Sequence, residues 1–85
     1  MWKPGLMQRS QLRAARALLA WSREMVAAAS GVSLATIKRI EPGEGTLSTK
    51  VETLEKLKTA LEAAGVEFTN GNQPGVRMRN QSRNG

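Results

Sequence analysis

Apolar residues recur along this chain with two periods, and the switch between them near residue 65 separates a helical part from an extended one. Leu12, Ala15, Leu18 and Leu19 form a stripe at helical spacing, which predicts a first helix from a Ser10 cap to about Ala20. Residues 22–41 then read as two short helices joined by a tight turn. The Ser22 hydroxyl can accept a bond from an orphan helix N–H, and Trp21 and Val26 are spaced as a hydrophobic staple. Ser30-Gly31 stops the first of the pair, because glycine takes positive φ freely. Ser33 caps the second, residues 34–41, with Val32 and Ile37 as its staple and Pro42-Gly43 as its terminator. Val26, Val32, Ile37 and Ile40 fall on the inward side, and Ala27 is small enough for a close helix approach. Leu34, Ala35, Lys38 and Arg39 point outward together. Thr49 and Glu52 have the spacing of a capping box for a last helix that ends at Gly65, with Val51, Leu54, Leu57, Leu61 and Ala64 along one face.

Beyond Gly65 the period becomes two. Val66 and Phe68 alternate with Glu67 and Thr69, and Val76 and Met78 alternate with Arg77 and Arg79, around a turn-rich segment at 70–75. This predicts a β-hairpin over 66–79, which is too small to stand alone and must pack on the helices or pair with a second subunit. Residues 1–9, with Pro4 and Gly5, read as a flexible arm carrying Lys3 and Arg9; Trp2, Leu6 and Met7 are able to fold back onto the core. Residues 80–85 read as a disordered tail. The expectation is an all-α domain: a compact bundle of four helices over 10–65 with a short C-terminal β-hairpin.

Composition narrows the chemistry. The 85 residues contain no cysteine and no histidine, and no aspartate stands anywhere in the chain. Disulfides and thiolate metal sites are excluded, and acid–base catalysis would rest on seven glutamates and a few lysines. No cofactor or metal is expected, and an enzyme is not. The net charge is +6, unevenly placed. Residues 1–40 hold seven Lys/Arg against Glu24 alone, whereas 41–65 carry a small negative excess. The positive charge therefore coincides with the helix pair, as a polyanion-binding face requires. No apolar run approaches the roughly 18 residues of a membrane span, and the start has no signal-peptide core, so a cytoplasmic setting is expected.

The segment at 22–41 resembles the helix-turn-helix of the lambda-repressor/Cro (XRE) family. Ala27 in its first helix, Gly31 in the turn, the core residues Val32, Ile37 and Ile40, and the closing Arg39-Ile40-Glu41 are the matching marks. The resemblance, covering about residues 10–65, implies a DNA-binding transcriptional regulator, most simply a repressor. It implies that the helix over 33–41 enters the major groove of double-stranded DNA while its partner crosses the backbone. Relatives usually bind palindromic operators as homodimers, with half-sites about 34 Å apart. It also implies that Arg16 pairs with Glu41, tying the first helix to the end of the recognition helix.

On that reading Leu34, Ala35, Lys38 and Arg39 face bases. Lys38 or Arg39 can donate to guanine O6 and N7, arginine with two bonds, and the apolar pair can meet thymine methyls. Lys38 serves equally well as a phosphate contact. Arg23, Ser33 and Thr36, then Thr49, Lys50 and Arg13, are the candidates for phosphate. Arg16, Glu41, Ala27, Gly31 and Ile37 are structural. Leu34 and Ala35 stand where polar hydrogen-bonders are common, which keeps a second reading open. In it the chain is a protein-interaction module, antitoxin-like or an anti-activator, that retains the fold.

Overall fold

The computed structural model describes residues 7–69 and 74–79. Its elements in order are α1 (Arg9–Leu19), α2 (Arg23–Ser30), α3 (Leu34–Ile40), α4 (Val51–Ala63), β1 (Val66–Thr69) and β2 (Gly75–Met78). Four helices and an antiparallel hairpin are thus present, as the two periods predict. The core is one cluster drawn from every helix, including Leu12, Val26, Ile37, Ile40, Leu57 and Leu61, and it takes in Val66 from the hairpin. Each fully buried Leu, Ile or Val of this kind stabilises the fold by roughly 1.5–3 kcal/mol.

The helix pair forms where local chemistry demands it. The Ser22 side chain accepts a bond from the Met25 N–H, and the Ser33 side chain accepts one from Thr36. Gly31 lies at φ 79°, in the left-handed region, and its N–H closes α2 onto the Ala27 carbonyl. Ser30 braces the turn: its Oγ donates to the Val26 carbonyl and accepts from the Val32 N–H. Val32 and Ile37 are both buried beneath it.

Four local expectations change. Ser10 is not the cap of α1; Gln8 is, and its N–H donates to the Gln11 side chain at 2.8 Å. The chain enters α1 earlier because Gln8 is held in a β-bridge to Thr46, flanked by the bonds Arg9 N–H to Gly45 O and Leu47 N–H to Met7 O. Met7 is buried, so residues 7–9 belong to the fold and not to an arm. Thr49 and Glu52 form no capping box: the N-cap of α4 is Lys50, and no side chain caps it. Val51, in the first turn of α4, is 69% exposed, and Leu18 near the end of α1 is 45% exposed. In both cases an element end overruns the bundle, so the apolar stripe outlasts the surface available to cover it. The rest of the expected arm (1–6), part of the hairpin turn (70–73) and the tail (80–85) lie outside the described residues.

The hairpin pairs Val66 with Met78 and Phe68 with Val76, and it packs on α1 and α4. Gln11 fastens it. This side chain is buried on α1, and its Nε2 donates to the carbonyls of Thr69 and Gly75, both at 3.0 Å. A cross-strand pair, Arg77 to Glu67 at 2.7 Å, lies on the outer side.

Candidate nucleic-acid interface

The helix that the sequence places at the interface, α3, is only seven residues long, and two turns of helix are marginal by themselves. Its position is set from outside: Ile37 and Ile40 are sunk in the core, and arginines of α1 hold its C-terminal end. Arg9 donates from Nη1 to the Ile40 carbonyl and from Nε to the Glu44 carbonyl. Arg13 donates to the carbonyls of Glu41 and Gly43, each at 2.8 Å. Arg16 grips the Glu41 carboxylate with two bonds, Nε to Oε2 at 2.6 Å and Nη2 to Oε1 at 3.0 Å. The arginines at i, i+4 and i+7 of α1 therefore meet the carbonyl end of α3, where a helix favours cations by about 0.3–1 kcal/mol each.

Glu41 is fully buried. Burial alone pushes its carboxyl up. Hydrogen bonds from Arg16 and then Arg23, with the charges of both, outweigh that and hold it below the ordinary glutamate value. Arg23, in the first turn of α2, supplies the third bond, Nε to Oε1 at 2.6 Å.

The outward side of α3 carries Ala35, Lys38 and Arg39, all exposed, and Leu34, half-buried. Neither Lys38 nor Arg39 has a polar partner among the described residues. Ser33 is engaged twice over, since its hydroxyl accepts from the Thr36 N–H and donates to Thr36 Oγ1 at 2.9 Å. Between α3 and the start of α4 lies an open cleft of about 540 Å³, lined by Thr36, Arg39, Ser48, Thr49, Lys50 and Thr53. Four hydroxyls and two cations with no acidic side chain among them suit an anionic oxygen cluster.

The geometry is that of two capped helices around a glycine turn, the second offering an exposed cationic side. A family model described as helix-turn-helix matches residues 12–68, more than half of the chain. The chain belongs to that family, the lambda-repressor-like (XRE) regulators. No curated protein and no solved structure gives a significant match.

A DNA-binding helix-turn-helix regulator is thus what the fold and the family match establish. No helix among the described residues is long and apolar enough to cross a membrane. Within this regulator the residues singled out from sequence do not share one surface. Lys38, Arg39, Thr36, Thr49 and Lys50 gather around α3 and the cleft. Arg13 is drawn away to backbone carbonyls and lies 3.8 Å from the Glu44 carboxylate, and Arg9, expected in the arm, is bound to α3 itself. The role of Gln11 and the link from Arg23 to Glu41 were not anticipated. A glutamine on the apolar stripe of α1, one turn before Ala15, is the one signal that could have found the first. Nothing in the sequence signals the second.

Proposed function

We propose that this protein is a transcriptional repressor that binds palindromic duplex DNA as a homodimer, with α3 of each subunit in the major groove. One observation carries the reading. Among the described residues the cations without a polar partner are Lys38, Arg39, Lys50 and Lys56, and three of these four lie on α3 or at the start of α4. The other described arginines and Lys58 are bound internally to carbonyls or carboxylates. The charge left to meet a polyanion is therefore concentrated around the recognition helix, although net charge alone spreads it over the whole N-terminal half.

In this reading Lys38 and Arg39, with Leu34 and Ala35, face base edges, and the cleft holds a backbone phosphate between Arg39, Lys50 and its hydroxyls. Arg39 serves both, since it stands on the outward side of α3 and on the cleft wall. Arg23, bound to Glu41 through Nε alone, holds a second phosphate at the start of α2 with its terminal nitrogens. Thr36 and Thr49 add hydroxyl contacts. The engaged Ser33 and Arg13 contribute to shape more than to contact. Two subunits, through α4 or the hairpin, supply the groove-facing residues that a single seven-residue helix lacks.

The test is a titration of labelled mixed-sequence and selected genomic duplexes at two salt concentrations. Roughly six phosphate contacts per dimer predict a loss of about 10³-fold in affinity between about 50 and 200 mM salt. Binding that ignores salt, or no binding at all, would move the chain to the other reading, a protein-interaction module. The half-buried Leu34 and exposed Ala35 at the head of α3 are what favour that second reading.

A further inference from the structure

Glu41 is gripped from two elements, although one would suffice to bolt α3 to α1. Arg16 alone reaches both carboxylate oxygens. Arg23 adds its Nε from the first turn of α2, at 2.6 Å from the oxygen that Arg16 Nη2 already shares. The carboxylate is sealed, at 0% exposure, whereas the Arg23 side chain is 35% exposed. Its Nε is taken, and its terminal nitrogens Nη1 and Nη2 have no partner among the described residues. A guanidinium is planar and its donors form a fixed fork, so anchoring one edge also aims the other.

We propose that Glu41 is a positioning residue for Arg23. The buried carboxylate holds the guanidinium by Nε and presents the two terminal nitrogens, already ordered, to a phosphate oxygen of duplex DNA. The inference rests on the DNA-binding reading above and adds how one backbone contact is made. It also joins two parts of the interface, because the residue closing the recognition helix aims the phosphate donor of the neighbouring helix. An arginine ordered before binding loses less rotamer freedom on docking than a free one. The cluster of two arginines and one glutamate keeps a net positive charge, so it still attracts the phosphate. Lysine cannot replace this arrangement. Its three donors share one nitrogen, which would have to lie within reach of both oxygens at once, and it has no rigid fork by which holding one edge aims the other, although its charge is the same.

The opposite relation is also chemically well defined: Glu41 and the phosphate could compete for Arg23. Isotope labelling of the arginine side chains separates the two by NMR. The full chain is titrated with a short mixed-sequence DNA duplex, and the Arg23 signals are assigned by their loss in Arg23→Lys. The expected result is an Arg23 Nε–H that stays in place and exchanges slowly with and without DNA, while its Nη signals shift. Arg23→Lys, first verified by its thermal melt to fold, is expected to bind on the order of threefold to tenfold more weakly at equal net charge.

Loss of the Nε–H signal on adding DNA would show that Glu41 competes for the guanidinium, which overturns the proposal. Stationary Nη signals alongside shifting α3 amides would remove Arg23 from the phosphate and overturn it too, leaving DNA binding intact. Affinity of Arg23→Lys equal to wild type would reduce Arg23 to a point charge, with the same consequence. Absence of any shift on titration would instead overturn the DNA-binding reading on which the proposal rests.

Discussion

Replacing Glu41 with glutamine keeps the volume but removes the charge of the buried carboxylate and turns one acceptor oxygen into an NH2 donor that faces an arginine donor. Three bonds converge on it: Arg16 Nε at 2.6 Å, Arg16 Nη2 at 3.0 Å and Arg23 Nε at 2.6 Å. Removing one partner of a fully buried ion pair costs about 3–5 kcal/mol, because the remaining charge is left uncompensated. Here the arginines are not fully buried, at 23% and 35% side-chain exposure, so water can partly replace the lost carboxylate. The expected loss is therefore below that range, roughly 2–3 kcal/mol. For a domain of this size each kcal/mol moves the melting temperature by about 4–8 °C, which puts the Glu41→Gln melt on the order of 10–20 °C below wild type. The assay is thermal and urea unfolding followed by far-UV circular dichroism at neutral pH. A double-mutant cycle with Arg16→Ala should show a coupling of about 0.5–3 kcal/mol, because the two sites act on one interaction. A Glu41→Gln loss below about 0.5 kcal/mol, or additive single mutants, would mean the cluster behaves as a surface pair. The reasoning that α3 is bolted through Glu41 would then be wrong.

The same carboxylate sets a pH dependence. Its folded value is depressed, so its contribution is complete above the ordinary glutamate value of about 4.3 and is lost as pH falls through the lower folded value. Wild type should therefore lose more stability than Glu41→Gln when melted from neutral pH down into that acid range, and parallel curves would contradict the assignment. Gln11→Leu leaves the Thr69 and Gly75 carbonyls without their side-chain donor, and should cost roughly 1–3 kcal/mol and speed hydrogen exchange in β1 and β2 before the helices. Ala20 and Gly31 both lie in the left-handed region, at φ 56° and 79°. Ala20→Gly should raise stability by roughly 0.5–1 kcal/mol and Gly31→Ala should lower it by about 1 kcal/mol, since open space around Gly31 leaves only backbone strain. Equal melts for either variant would contradict this. Arg39→Ala should relax base preference at one position of each half-site by about 1–3 kcal/mol and flatten the salt dependence, measured by binding to a set of single-base operator variants. Unchanged selectivity would confine Arg39 to the cleft.

What the chain states by itself is its local grammar. Ser22, Ser33 and Gly31 act within three or four residues of their own position, and Val32 and Ile37 are buried because the turn leaves them nowhere else to point. The change of period at Gly65 marks the hairpin for the same reason, since side-chain direction along a helix or a strand follows from backbone geometry alone. The family marks in 22–41 are equally local, and the helix-turn-helix match extends over 12–68.

Tertiary structure decided where the long side chains went. Arg9 and Arg13 read as contacts for DNA, yet with Arg16, whose pairing with Glu41 the family resemblance implied, they reach 25 to 31 residues along the chain to the end of α3. Thr49 has the spacing of a cap, but the chain enters α4 one residue later. Val51 continues an apolar stripe into solvent, and Gln11 is buried because two hairpin carbonyls arrive above it. An arginine or a glutamine has several rotamers and several donors, so its partner is chosen only when distant elements are brought together. That choice takes most of the described arginines into the fold and leaves the unpaired positive charge on α3 and α4.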